Sequence, residues 1–195
     1  MRDWQAALTL PFVALALGGA GPPVVGSNTF LGNARAQACE AHAKLAADRR
    51  MSPESAVDTC SEALAVEFLD TADRAATLNN RGVVLFSMMG ESASALADFN
   101  AASLVAPRRS ESYVNRGGVL IQQRRYEEAI LELDKGLERG SLREPWKAHY
   151  NRALAREALG DLRGARDDFA TALELNPGWE VATEELARFS VQPRR

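Results

Sequence analysis

A three-residue phrase returns at a nearly fixed interval in this chain: Asn80-Arg81-Gly82, Asn115-Arg116-Gly117 and Asn151-Arg152-Ala153. A second phrase trails each copy at steps of four, three and five residues. It reads Ala95, Phe99, Ala102, Pro107, then Ala129, Leu133, Gly136, Ser141, then Ala165, Phe169, Ala172, Pro177. The arginines stand 35 and then 36 residues apart. That length holds two helices and a turn. Such a unit cannot bury its apolar face alone, so the copies must stack into a solenoid. Solenoids offer long surfaces and bind partners far more often than they catalyse.

The 195 residues suffice for one ordinary domain. A hydrophobic content of 46% excludes a disordered polymer, and a net charge of -3 leaves no basic footprint for nucleic acid. The first 36 residues are read as a signal peptide. Ala6 to Ala20 is an uncharged run, broken by Gly18, Gly19, Gly21, Pro22 and Pro23, and Ala34-Arg35-Ala36 offers a small-x-small cleavage site before Gln37. The run is short of the ~20 residues a membrane span needs. Export to the periplasm or medium of a bacterium is the expectation, in keeping with twenty arginines against three lysines and a compact leader.

Cys39 and Cys60 fall inside the mature protein, and an oxidising compartment favours their closure. They lie on two expected antiparallel helices, Gln37 to Arg49 and Pro53 to Phe68, which a disulfide would clip together. Two separate buried thiols are the alternative.

Beyond Ala38 the pattern is helical: Ala, Leu, Glu and Arg dominate and apolar residues recur every three or four. Ser52-Pro53 suits a cap and first turn, and Pro107, Pro145 and Pro177 mark joins between units. The expected hairpins are Thr71–Met89 with Ser92–Val105, Ser110–Gln123 with Tyr126–Arg139, and Pro145–Leu159 with Leu162–Leu175. The organisation is thus a leader (1–36), a degenerate helix pair (37–70), three repeats (71–177) and a capping helix with a tail (178–195). The cap, Trp179 to Phe189, sets Val181 and Leu186 against the last repeat.

The three inner copies resemble tetratricopeptide repeats. The resemblance rests on the small residue of the first helix (Gly82, Gly117, Ala153) and on the Ala-x3-Phe set with its closing Pro in the second. It is strongest from Trp146 to Pro177. It is looser in the middle copy, and faint in the leading pair through Ala56, Cys60 and Ala63. It implies an all-α, right-handed superhelix of helical hairpins whose first helices line a concave groove.

Arg81, Arg116 and Arg152 stand where that family usually has Leu. Sixteen or seventeen residues on come Asp98, Glu132 and Asp168, so an antiparallel hairpin predicts structural ion pairs; ligand-binding arginines are the rival reading. Asn80, Asn115 and Asn151 share one phase. An amide both donates and accepts, so such a ladder could hold an extended peptide backbone, as some tetratricopeptide proteins do. The same amides could instead tie one repeat to the next. Around them the groove is expected to expose Val83, Phe86, Val114, Ile121, Tyr150 and Leu154, with Gln122, Lys147 and Glu157 among them.

The family's carboxylate clamp is poorly matched, since only Lys147 and Asn115 resemble its parts and Val83 replaces an expected Asn. No phosphate loop, HExxH or GxSxG motif occurs, so no catalytic residue is assigned. Cys39, His42 and Cys60 fall one ligand short of a metal site and compete with the disulfide, so no metal or cofactor is expected. The reading is an exported scaffold that binds a peptide or protein segment in its groove, with Asn80, Asn115, Asn151, Phe86, Ile121, Lys147 and Tyr150 as contact residues and no nucleic-acid or small-molecule partner. The alternative is a structural subunit of an envelope assembly, docking through its convex face.

Overall fold

The computed structural model describes residues 30–65, 68–140 and 142–190. The expected leader up to residue 29, Ser141 of the middle repeat and the tail from residue 191 lie outside them. Among the described residues the protein is entirely α-helical: α1 (Phe30–Ala47), α2 (Pro53–Leu64), α3 (Thr71–Ser87), α4 (Ser92–Val105), α5 (Glu111–Gln122), α6 (Tyr126–Arg139), α7 (Pro145–Ala158), α8 (Leu162–Leu175) and α9 (Glu180–Ser190). Consecutive helices pair as antiparallel hairpins, and α3, α5 and α7 pack side by side. The first helix differs from expectation. It begins at Phe30, upstream of Gln37, and carries Ala36 into the core at 2% exposure.

Local chemistry sets the boundaries. Ser52 and Asp70 cap α2 and α3 by accepting from the backbone N–H of Ser55 (3.2 Å) and Asp73 (2.7 Å), and Asp161 caps α8 through Gly164 N–H (2.9 Å). Each hairpin turns through one left-handed residue: Arg49, Gly90, Arg124 and Gly160. The same backbone bond closes each turn. Arg50, Arg125 and Asp161 donate to the carbonyls of Leu45, Leu120 and Arg156, five residues back, in the manner of a Schellman cap. In the first repeat Glu91 donates to Leu85, six back, which absorbs its one extra residue.

Small residues decide how closely the helices of a repeat approach. A Cβ at Gly82 would come within 2.6 Å of the Phe99 ring, and one at Gly117 within 2.7 Å of Leu133. Phe99, Leu133 and Phe169 are fully buried at equivalent places. The last repeat is closed by rings: Tyr150 meets Phe169 edge-on at 5.5 Å and Trp179 at 4.8 Å, while Phe189 of α9 lies 5.8 Å from Phe169.

The leading hairpin is built differently. Its core is Ala36, Cys39, Ala43, Ala46, Ala56, Cys60 and Ala63, with no large buried side chain on either helix among the described residues. Cys39 and Cys60 form a disulfide with Cα atoms 4.6 Å apart. Both sulfurs are therefore committed to each other, and His42 turns to Thr59 instead (Nδ1 to Oγ1, 2.7 Å). Among the described residues no cluster of His, Cys, Asp and Glu is arranged to hold a metal ion.

Candidate binding site

The arginines of the repeated phrase each take a carboxylate across their own hairpin. Arg81 donates through Nε and Nη2 to both oxygens of Asp98 (2.8 and 2.7 Å), and Arg152 does the same to Asp168 (2.9 and 2.7 Å). Arg116 pairs with Glu132. Planar guanidinium and carboxylate match in this two-pronged form. Burial lowers and hydrogen bonding raises the Arg152 guanidinium, and the bonds to Asp168 and Asp134 win, holding it above its ordinary range; Arg81 is held up by Asp98. Burial pushes the Asp168 carboxyl up, but His149 (3.1 Å), Arg152 and Arg156 outweigh it and leave it below the usual carboxylate range.

Each arginine also reaches back to the preceding hairpin. Nη1 of Arg81 donates to Ser61 Oγ (3.0 Å), that of Arg116 to Asn100 Oδ1 (2.9 Å), and that of Arg152 to Asp134 Oδ1 (2.6 Å). Ser61, Asn100 and Asp134 each directly follow the residue at the Phe position: Cys60, Phe99 and Leu133. The arginines thus staple both within and between units. Sequence reasoning missed these three acceptors, although their recurrence one place after the Phe position was a signal available to it.

The asparagines lie inside the stack. Asn80, Asn115 and Asn151 are at most 1% exposed. Asn115 Nδ2 donates to Asn79 Oδ1 at 2.9 Å, a bond between the first two repeats whose acceptor precedes the phrase by one residue. At the next junction the place of Asn79 belongs to Val114, which has no polar side chain. Asn80 Oδ1 has no hydrogen-bond partner among the described residues.

The expected exposure of the apolar set is not found. Phe86 packs with Val83, Phe99 and Val119, Ile121 with Val114, Leu133 and Ala148, and Tyr150 with Phe169 and Ala182, all in buried clusters. These side chains fill the seams between hairpins, a stronger drive than display to water. Burial accordingly raises the Tyr150 phenol, with Glu185 and Glu157 adding to it against Arg188. Of the seven expected contacts only Lys147 keeps part of its side chain in solvent (22%), beside Glu144 at 2.7 Å. Gln122 is exposed, and Leu154 and Glu157 are half-buried.

Known proteins share both the pattern and the geometry. Residues 110–139 and 146–179 each match the tetratricopeptide repeat family. These hairpins are tetratricopeptide-like repeats. A mouse FK506-binding protein-like protein is 36% identical over 91 residues, 46% of this chain, which spans only 25% of that relative's length. The second tetratricopeptide domain of human RPAP3, solved with the HSP70 peptide SGPTIEEVD, superposes with a TM-score of 0.56 at 25% identity, covering 63% of this chain and 99% of that one. MamA from Desulfovibrio magneticus gives 0.62 at 21% identity over 80% and 84% of the two chains, a likeness of fold.

Proposed function

We propose that this protein is a non-catalytic interaction scaffold that receives a peptide or protein segment along its first helices. One observation carries the reading: stacked hairpins, pinned within and between units by Arg81, Arg116 and Arg152, form a preorganised surface that loses little entropy on binding. The human relative solved with a peptide supports it. The solvent-facing parts of α5 and α7, Gln122, Lys147, Leu154 and Glu157, supply the polar and apolar contacts. No described helix is long and apolar enough to cross a membrane.

The test is selection of binders from displayed random peptides with the purified protein, followed by affinities for a Lys147→Glu, Leu154→Asp double variant. A loss of tenfold or more with an unchanged helical circular dichroism spectrum is expected. A second reading has its own observation: Leu104 and Leu131, on the second helices, are 81% and 60% exposed. Loss of binding in Leu104→Asp, Leu131→Asp but not in the first variant would move the function to that face.

We also infer export, on the apolar Ala6 to Ala20 run and a cysteine pair suited to an oxidising space. Amino-terminal sequencing of the fractionated native protein tests it; a start at Gln37 in an envelope fraction is expected, and a cytoplasmic form starting at Met1 would end the idea.

A further inference from the structure

The seam between the last repeat and α9 is built unlike the earlier ones. Each earlier hairpin offers the next arginine an acceptor one place after the Phe position: Ser61, Asn100 and Asp134. After Phe169 that place belongs to Ala170, whose side chain carries no acceptor, so a fourth staple has no anchor. Five residues beyond the first two arginines stand Phe86 and Ile121, which fill their seams with hydrocarbon; the third such place is Glu157. Its carboxylate takes Arg188 of α9, which also pairs with Glu185 on its own helix. Arg188 keeps 55% of its side chain in solvent, so water screens this pairing and it holds α9 weakly. Burial pushes the Glu185 carboxyl above its ordinary range, with Arg188 opposing and Glu157 adding to the push.

What α9 covers is apolar. Ala182 shares a buried cluster with Tyr150 and Phe169, against which Leu154 of α7 and Leu186 and Phe189 of α9 also pack. Ala182, Leu186 and Phe189 follow the i, i+4, i+7 spacing by which an amphipathic helix enters a groove. With 11 residues α9 is shorter than an isolated helix needs to persist in water, so it is helical because it is docked. Leu154 and Glu157, two of the contacts assigned above to the bound segment, belong to this seam.

We propose that the face beneath α9 is a docking surface for an amphipathic helix of the partner, with α9 as its resident and displaceable occupant, a reading that rests on the scaffold function above. α9 itself displays the chemistry such a helix needs: apolar residues at the spacing of Ala182, Leu186 and Phe189, and an arginine beside the last to meet Glu157. Once Arg188 leaves with α9, Glu157 faces the incoming helix, so an acidic helix is repelled and a basic one drawn in. The exchange is of like for like. One helix leaves the apolar face as another covers it, and Tyr150 and Phe169 are not left in water. The left-handed Gly178 (φ 85°) separates α9 from α8, so one helix leaves without unwinding the other.

The probe is a fluorescein-labelled peptide of residues 178–190, titrated into the full wild-type protein and into Arg188→Glu, with amide exchange followed in the same samples. Binding about fivefold tighter to Arg188→Glu is expected, because its own α9 competes less. Added peptide should quicken exchange in α9 of the wild type while α7 and α8 keep their protection. A peptide carrying Arg188→Glu should lose binding to the wild type and regain it on a Glu157→Arg protein. Binding by neither protein, or binding that leaves α9 exchange unchanged, would overturn the proposal and make α9 a fixed cap. If displayed peptides are still retained by that protein, the scaffold reading stands; if none is retained, both fall.

Discussion

The leading hairpin and the last repeat solve one packing problem by different means. Both are two antiparallel helices closed by the same backbone bond at the turn, Arg50 to Leu45 and Asp161 to Arg156. In the last repeat Tyr150, Phe169 and Trp179 fill the space between helices, and Arg152 with Asp168 pins them. In the leading hairpin Cys60 stands where Phe169 stands, its neighbours are alanines, and no Arg–carboxylate pair crosses it among the described residues. Alanine burial supplies little apolar area, so noncovalent packing there is weak. The Cys39–Cys60 bond makes up the deficit by limiting the unfolded state rather than by filling the folded one. A solenoid whose units exchange energy only with neighbours can mix the two solutions in one stack.

The contrast can be broken at its strongest point first. Phe99→Ala removes a fully buried ring that leans on Gly82, and should cost about 3–5 kcal/mol in chemical denaturation. Truncating the same position of the leading hairpin as Cys60→Ala should cost less. Next comes the staple. Arg81→Ala leaves Asp98, 7% exposed, without its guanidinium, and should cost about 3 kcal/mol. An Arg81→Leu, Asp98→Leu double variant that regains most of the loss would confirm that the isolated carboxylate, not the missing attraction, sets the penalty.

Removing the covalent tie ranks third. Cys39→Ala with Cys60→Ala should cost about 2–3 kcal/mol, the range for a loop of this length, and amide exchange should quicken in α1 and α2 while α7 and α8 keep their protection. Uniform quickening along the stack would contradict a locally supported hairpin. Acid is the gentlest probe. The Asp168 carboxyl is depressed in the folded state, so its contribution is complete above the unfolded value near pH ~4 and is lost as pH falls through the folded one. Amide exchange at decreasing pH should therefore loosen α7 and α8 before α1 and α2, whose disulfide has no proton to gain.

How legible was this molecule in its sequence? The hairpins were, because Gly82, Gly117 and Ala153 face Phe99, Leu133 and Phe169 at fixed spacing, and that spacing is the packing. Helix ends were read to within about two residues from Thr71 onward, since caps and prolines act locally. Two families of residues had their surroundings misjudged. Phe86, Ile121 and Tyr150 were expected on display, yet apolar side chains on a first helix also face the neighbouring hairpin, and periodicity alone does not separate the two directions. The asparagines were read either as a peptide-binding ladder or as ties between repeats, and their shared phase did not show that Asn115 reaches Asn79, one residue before the phrase. The start of α1 at Phe30 was not legible, because Ala34-Arg35-Ala36 suits a cleavage site and a helix packed against other alanines equally well.

The bond that closes each turn joins a backbone N–H to a backbone carbonyl. It survives one additional residue at Met88-Met89-Gly90 by reaching from Glu91 to Leu85. A difference of one residue in chain length is therefore taken up within the corner itself, and the two helices on either side keep the pairing of the other hairpins.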